Sequence, residues 1–243
     1  MKISKTVLRP ISGITILLLL ITGLFWLSKH PVMRCYLVSW SDLDQIAENV
    51  YVDPAMPEDN RAHLVAAVTE AKQHIAALFG DLQGDAVIIA GHTMSIMNAY
   101  GGNNYNQVGR SYLTALGSYI VLGPGGAQDK DVVAHELAHA EVAQRLGYRR
   151  ANQLPDWFEE GLALQVDDRY TEAEWLARTS NGATAPDLDE IGIIRHDDWL
   201  GYATAKHEVS RWMEAAGPEG LLKFLQAVRQ GEDFFLSYQA AEQ

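Results

Sequence analysis

The chain has one cysteine, Cys35, in 243 residues, which excludes an internal disulfide framework and any paired-cysteine metal site. Acidic residues are missing before Asp42, although Lys2, Lys5, Arg9, Lys29 and Arg34 all precede it. Removing those five from the 19 basic residues leaves fourteen to face 31 acidic ones over the remainder. So acidic a remainder lacks the cationic surface that phosphates require, and no nucleic-acid partner is expected. Internal repeats and low-complexity tracts are also lacking. What is there, 48% apolar and 21% charged, is the composition of a folded domain.

Ile11 to Leu27 is a 17-residue stretch without formal charge. At ~1.5 Å per residue a helix of that length spans roughly 25 Å, the lower limit for a bilayer core. The following Phe25-Trp26-Leu27-Ser28-Lys29 offers no A-x-A-like cleavage site, and Trp26 and Lys29 suit a membrane interface. Residues 1–28 therefore read as one N-terminal transmembrane helix, a cleaved signal segment being the alternative. Basic residues ahead of the span predict an inside N-terminus and an extracytoplasmic (periplasmic or extracellular) domain.

Residues 29–58 read as a juxtamembrane region, with Pro31, Pro54 and Pro57 marking irregular chain. A domain over 59–243 follows. Leu64, Val65, Val68, Ile75 and Leu78 recur at helical spacing across 59–79, and Gly80 is placed to end that helix. Residues 85–90 and 118–122 read as strands; 91–117, rich in Gly, Asn and Tyr, reads as loop with room for a hairpin. Helices are predicted over 129–146, 155–168, 171–179, 198–216 and 218–230, with Gly147, Gly217 and Gly231 as stops. A small strand-bearing half followed by a mostly helical half indicates the α+β class.

His135-Glu136-Leu137-Ala138-His139 is an HExxH motif. Positions i and i+4 of a helix share one face, so both imidazoles can reach one Zn²⁺, and Glu136, one position on, lies beside it as a base for a metal-activated water. Catalytic zinc takes three protein ligands and an open position. The metzincin continuation is excluded, because Val142 and Arg145 stand where it needs Gly and His. Downstream the chain reads Pro155-Asp156-Trp157-Phe158-Glu159-Glu160-Gly161-Leu162-Ala163, with twenty residues between His139 and Glu160. Spacing alone admits either Glu159 or Glu160 as third ligand, but not both, since adjacent helical positions differ by ~100°.

Here the chain resembles the gluzincins, and within them the peptidase-MA-like proteins, whose second metal helix carries Pro-x-Trp-x-x-Glu-Gly-x-Ala. That resemblance implies a zincin-like domain with Glu160 as third zinc ligand. It also implies a downstream tyrosine that donates to the oxyanion of the tetrahedral intermediate; Tyr202 occupies that position, with His207 as the alternative donor. Asp167, seven residues beyond Glu160 on the predicted helix, is placed to orient a ligand histidine. The expected activity is zinc-dependent hydrolysis of peptide or protein substrates with Glu136 as general base, an extended substrate pairing with the 118–122 strand. The alternative is a membrane-tethered binding or scaffold module without turnover. The aminopeptidase motif Gly-x-Met-x-Asn is absent, so an endopeptidase is the closer match.

Overall fold

The structure is a computed structural model that describes residues 29–101, 108–186 and 198–242. The expected membrane helix within 1–28 lies outside these residues, as does His196. Among the described residues no helix is long and apolar enough to cross a membrane.

Strands β1 (Asp44–Ala47), β2 (Val50–Val52), β3 (Val87–Ala90), β4 (Gly109–Thr114) and β5 (Gly117–Leu122) form one sheet in the order β1-β2-β3-β5-β4. The outer pairs are antiparallel, whereas β2, β3 and β5 run parallel. Parallel pairing of β2 with β3 requires a crossover, supplied by helix α1 (Glu58–Phe79), which stops at left-handed Gly80 (φ 81°). The result is a mixed α/β chain with a small sheet. Val50, Val52, Ile88, Ala90, Ile120 and Leu122 face the main core, while Tyr51, Val87, Ile89, Tyr119 and Val121 face a second cluster with Cys35 and Met97. Both faces of β3 and β5 are thus covered, which is why each reads as an unbroken apolar run.

Two differences from the sequence reading matter. Residues 44–52, expected as irregular chain, form the β1–β2 hairpin, with Asn49 at φ 58° turning the corner. Strands of four and three residues are too short to show alternation and exist through their pairing. The strand expected to receive substrate also changes: β5 lies between β3 and β4, hydrogen-bonded on both sides, and the sheet edge beside it is β4. β4 is only half-buried along its length, so its sequence carries the polar, glycine-bearing look of a loop.

Helix α2 (Lys130–Leu146) runs through the interior on the main-core face of the sheet, buried on nearly every side. Asp129 caps its start by accepting from the Asp131 and Val132 amides (2.9 and 3.3 Å), and Gly147 (φ 79°) ends it. A buried Glu141 ties it to the turn after α1. Its carboxylate, fully shielded from solvent, accepts from the amides of Gln83 (3.0 Å) and Gly84 (2.5 Å) and from Arg145 Nε (2.6 Å). Arg145 also bonds Asp81. Replacing Glu141 by Ala leaves the two amides without this acceptor and the buried guanidinium with Asp81 alone. Urea unfolding of the Glu141→Ala chain is expected to show a loss of about 3–5 kcal/mol; a loss below about 1 kcal/mol would mean that the network does not form.

Candidate metal centre

α2 presents His135 and His139 one turn apart, both nearly buried, and α3 (Asp156–Ala163) brings Glu160 against them. The Glu-Gly step has a packing cause. A Cβ at Gly161 would meet Ala205 O at 2.5 Å and Val209 Cγ2 at 2.6 Å, both on helix α5 (Trp199–Gln230, broken at Gly217). Only glycine lets α3 approach α5 so closely, and that approach sets where Glu160 stands. One turn earlier on the same side of α3, Phe158 packs among Trp157, Trp212, Phe224, Phe234 and Tyr238, which holds the helix against roll.

The three donors form a triangle. His135 Nε2 lies 3.1 Å from His139 Nε2, and Glu160 Oε2 lies 3.0 and 3.7 Å from the two nitrogens. Tetrahedral donors about 2.1 Å from one centre are about 3.4 Å apart, so the triangle has the size a four-coordinate metal requires. Glu160 Oε2 is buried without a properly angled hydrogen bond, an orphan acceptor that a cation would satisfy. His135, His139 and Glu160 are therefore a group that could bind a metal ion.

The remaining ring nitrogens face carboxylates. His135 Nδ1 lies 3.4 Å from Asp167 Oδ2, and His139 Nδ1 lies 3.2 Å from Glu159 Oε1. Glu159, the rival for third ligand, thus stands behind the other histidine, as the ~100° offset between neighbours demands. Asp167 reaches His135 by a different route from the one its spacing suggested. α3 ends at Ala163, a 3-10 turn covers Leu164–Val166, and Asp167 is extended (φ −124°, ψ 157°). Its buried carboxylate accepts from the Arg169 amide (2.9 Å) and Arg169 Nη2 (2.7 Å). Lys206 Nζ, on α5, binds the carbonyls of Asp167 (2.8 Å) and Arg169 (2.6 Å). Tyr170 next in chain holds a left-handed φ of 55°, a strained conformation for a bulky residue.

Electrostatics follow from this enclosure. Burial opposes charge on both imidazoles, yet the carboxylates outweigh it: His135 is raised by Asp167 and Glu160, and His139 is pushed up to about 10 by Glu159 and Glu160. Burial likewise opposes ionisation of Glu160, but His135 and His139 bring it down to about 2. Asp167 is held low against burial by His135 and Arg169. The carboxylates thus favour positive charge where the two imidazoles meet, supplied by protons on the rings or by a cation bound between them.

Glu136, one position past His135, is held by a residue the sequence did not single out: Ser111 Oγ on β4 donates to its Oε2 at 2.5 Å. Tyr202, on the first turn of α5, stacks on Tyr170 (centroids 5.4 Å apart), and burial, then the nearby Glu160, pushes its phenol well up, so it stays protonated. His207 is turned elsewhere, stacked on Trp175 at 3.9 Å and 3.7 Å from Glu172. No spacing rule reaches Ser111 or Lys206, which come from a strand and a helix remote in sequence.

Comparison with known proteins finds no matching family model and no matching curated relative.

The geometry separates three acidic residues by role. In a Zn²⁺ titration against a chromophoric chelator, Glu160→Gln should lose stoichiometric binding. Glu159→Gln and Asp167→Asn should keep it with affinity weakened roughly 10–100-fold, because each only orients a histidine. Loss of binding in Glu159→Gln with none in Glu160→Gln would reverse the assignment.

Proposed function

We propose that the chain is a zinc-dependent peptidase of the gluzincin kind. On this reading it has a zincin-like domain, is tethered to a membrane through residues 1–28, and works on peptide or protein substrates outside the cytoplasm. The observation that carries this reading is the joint presence of a tetrahedral-sized His135–His139–Glu160 triangle and an adjacent carboxylate, Glu136, that takes no part in it. A site built only to hold a metal has no use for that carboxylate. Two imidazoles and one carboxylate suit zinc better than magnesium or calcium, which favour all-oxygen sites.

When bound, zinc would act as a Lewis acid on the substrate carbonyl and lower the pKa of a water at the open position. The protein's own groups do the rest. Glu136 takes a proton from the attacking water as its oxygen bonds the carbonyl carbon, then hands that proton to the amine as the C–N bond breaks. Tyr202, kept protonated, donates to the carbonyl oxygen as charge develops there. β4, at the sheet edge and in contact with Glu136, is the strand on which an extended peptide would add by backbone pairing.

The decisive measurement is Glu136→Gln, assayed on a quenched-fluorescent peptide library alongside zinc content. Zinc should remain at one per chain while hydrolysis falls by about 10²–10⁴-fold or more. Activity within tenfold of the parent would refute the mechanism. A zinc-loaded parent that cleaves nothing would favour the tethered binding module.

A further inference from the structure

We propose that β4 is a positioning device for Glu136, in which Ser111 fixes the carboxylate and Gly109 leaves the room it needs. This deepens the hydrolytic reading above and rests on it. Two observations carry the proposal. Ser111 Oγ donates to Glu136 Oε2 at 2.5 Å, the length of a strong charge-assisted O–H···O⁻ bond. Independently, a Cβ built at Gly109 would stand 2.7 Å from Glu136 Oε1 and 3.1 Å from its Cδ and Cγ. Gly109 is not among the glycines with positive φ, so its lack of a side chain answers to space and not to backbone conformation.

Residues 109 and 111 share one face of the strand. Leu113, next on that face, packs into the main core with α2, while Tyr112 belongs to the cluster on the other side. The strand therefore aims a hydroxyl and a gap at the same carboxylate. With Oε2 engaged by Ser111, Oε1 is left to receive the proton from water as the new C–O bond forms and the carbonyl π pair moves to oxygen. A glutamate free to turn about its side-chain torsions would meet that geometry only part of the time, and misplacement by 1 Å can cost ~10²-fold. Ser111 Oγ hydrogen-bonds Glu136 and none of His135, His139 and Glu160, so it acts through Glu136.

The test uses the full chain in detergent, zinc-loaded, with S111A, S111T and G109A beside E136Q as control. S111A and G109A should keep one zinc per chain and the parental melting temperature. Their kcat on a quenched-fluorescent peptide should fall roughly ten- to hundredfold with KM within about twofold. Calorimetric affinity for acetohydroxamic acid, whose hydroxyl proton passes to the same base, should weaken in parallel. S111T, which retains the hydroxyl, should return kcat to within about threefold. If S111A and G109A match the parent in kcat and hydroxamate affinity while E136Q is dead, β4 positions nothing and the proposal fails alone. A loss that tracks loss of zinc also overturns it, as a structural effect. If E136Q is as active as the parent, the hydrolytic reading itself is wrong and the positioning role falls with it.

Discussion

Buried Asp167 and partly buried Glu159 and Glu160 converge on two buried imidazoles, and this concentration of charge is the constraint around which the structure is arranged. Ionised groups removed from water are expensive unless each finds a counter-charge. His135 and His139 answer the carboxylates directly, and Arg169 and Lys206 answer Asp167 from outside. Such a cluster persists only because its members come from elements that cannot move apart. The histidines sit on a helix buried on nearly every side, the glutamates on a helix locked by aromatic packing, and Lys206 on a third helix whose backbone touches the second at Gly161.

That arrangement also explains why the two adjacent glutamates are not equivalent. Both belong to α3, and the helical twist between neighbours sends one carboxylate between the two Nε2 atoms and the other behind His139. Each histidine turns Nε2 toward the other ring and Glu160, and Nδ1 toward a carboxylate, an arrangement that would raise its basicity toward a bound metal ion. The buried Glu141 network at the far end of α2 plays the purely structural counterpart: its acceptors are all used, and its task is to hold the helix against the 81–84 turn.

The sheet contributes to the site through its edge. Parallel β2, β3 and β5 are covered on both faces and serve as the platform. β4, antiparallel and half-buried, is the strand that touches Glu136. An edge strand has unpaired backbone groups on one side, so among the described residues the strand that bonds Glu136 is also one whose backbone is not fully paired within the sheet.

Much of this was legible in the sequence, and the legible part is local. The spacing of His135 and His139, the stop at Gly147 and the break at Gly217 follow from the 3.6-residue turn and from backbone preferences within a few residues. Glu160 was reached through a motif whose glycine proves to be a packing requirement. Asp167 was matched to a histidine for a reason that does not hold, since the helix ends before it and the extended chain delivers it instead. By itself, then, the sequence determined which side chains lie one turn apart and where glycine-stopped helices end. Tertiary structure alone decided that Glu159 backs His139, that β4 and not β5 is the edge, that residues 44–52 pair into the sheet, and that Ser111 holds Glu136. Those contacts join segments far apart in sequence, and their geometry is set by how helices and strands pack, which no local periodicity encodes.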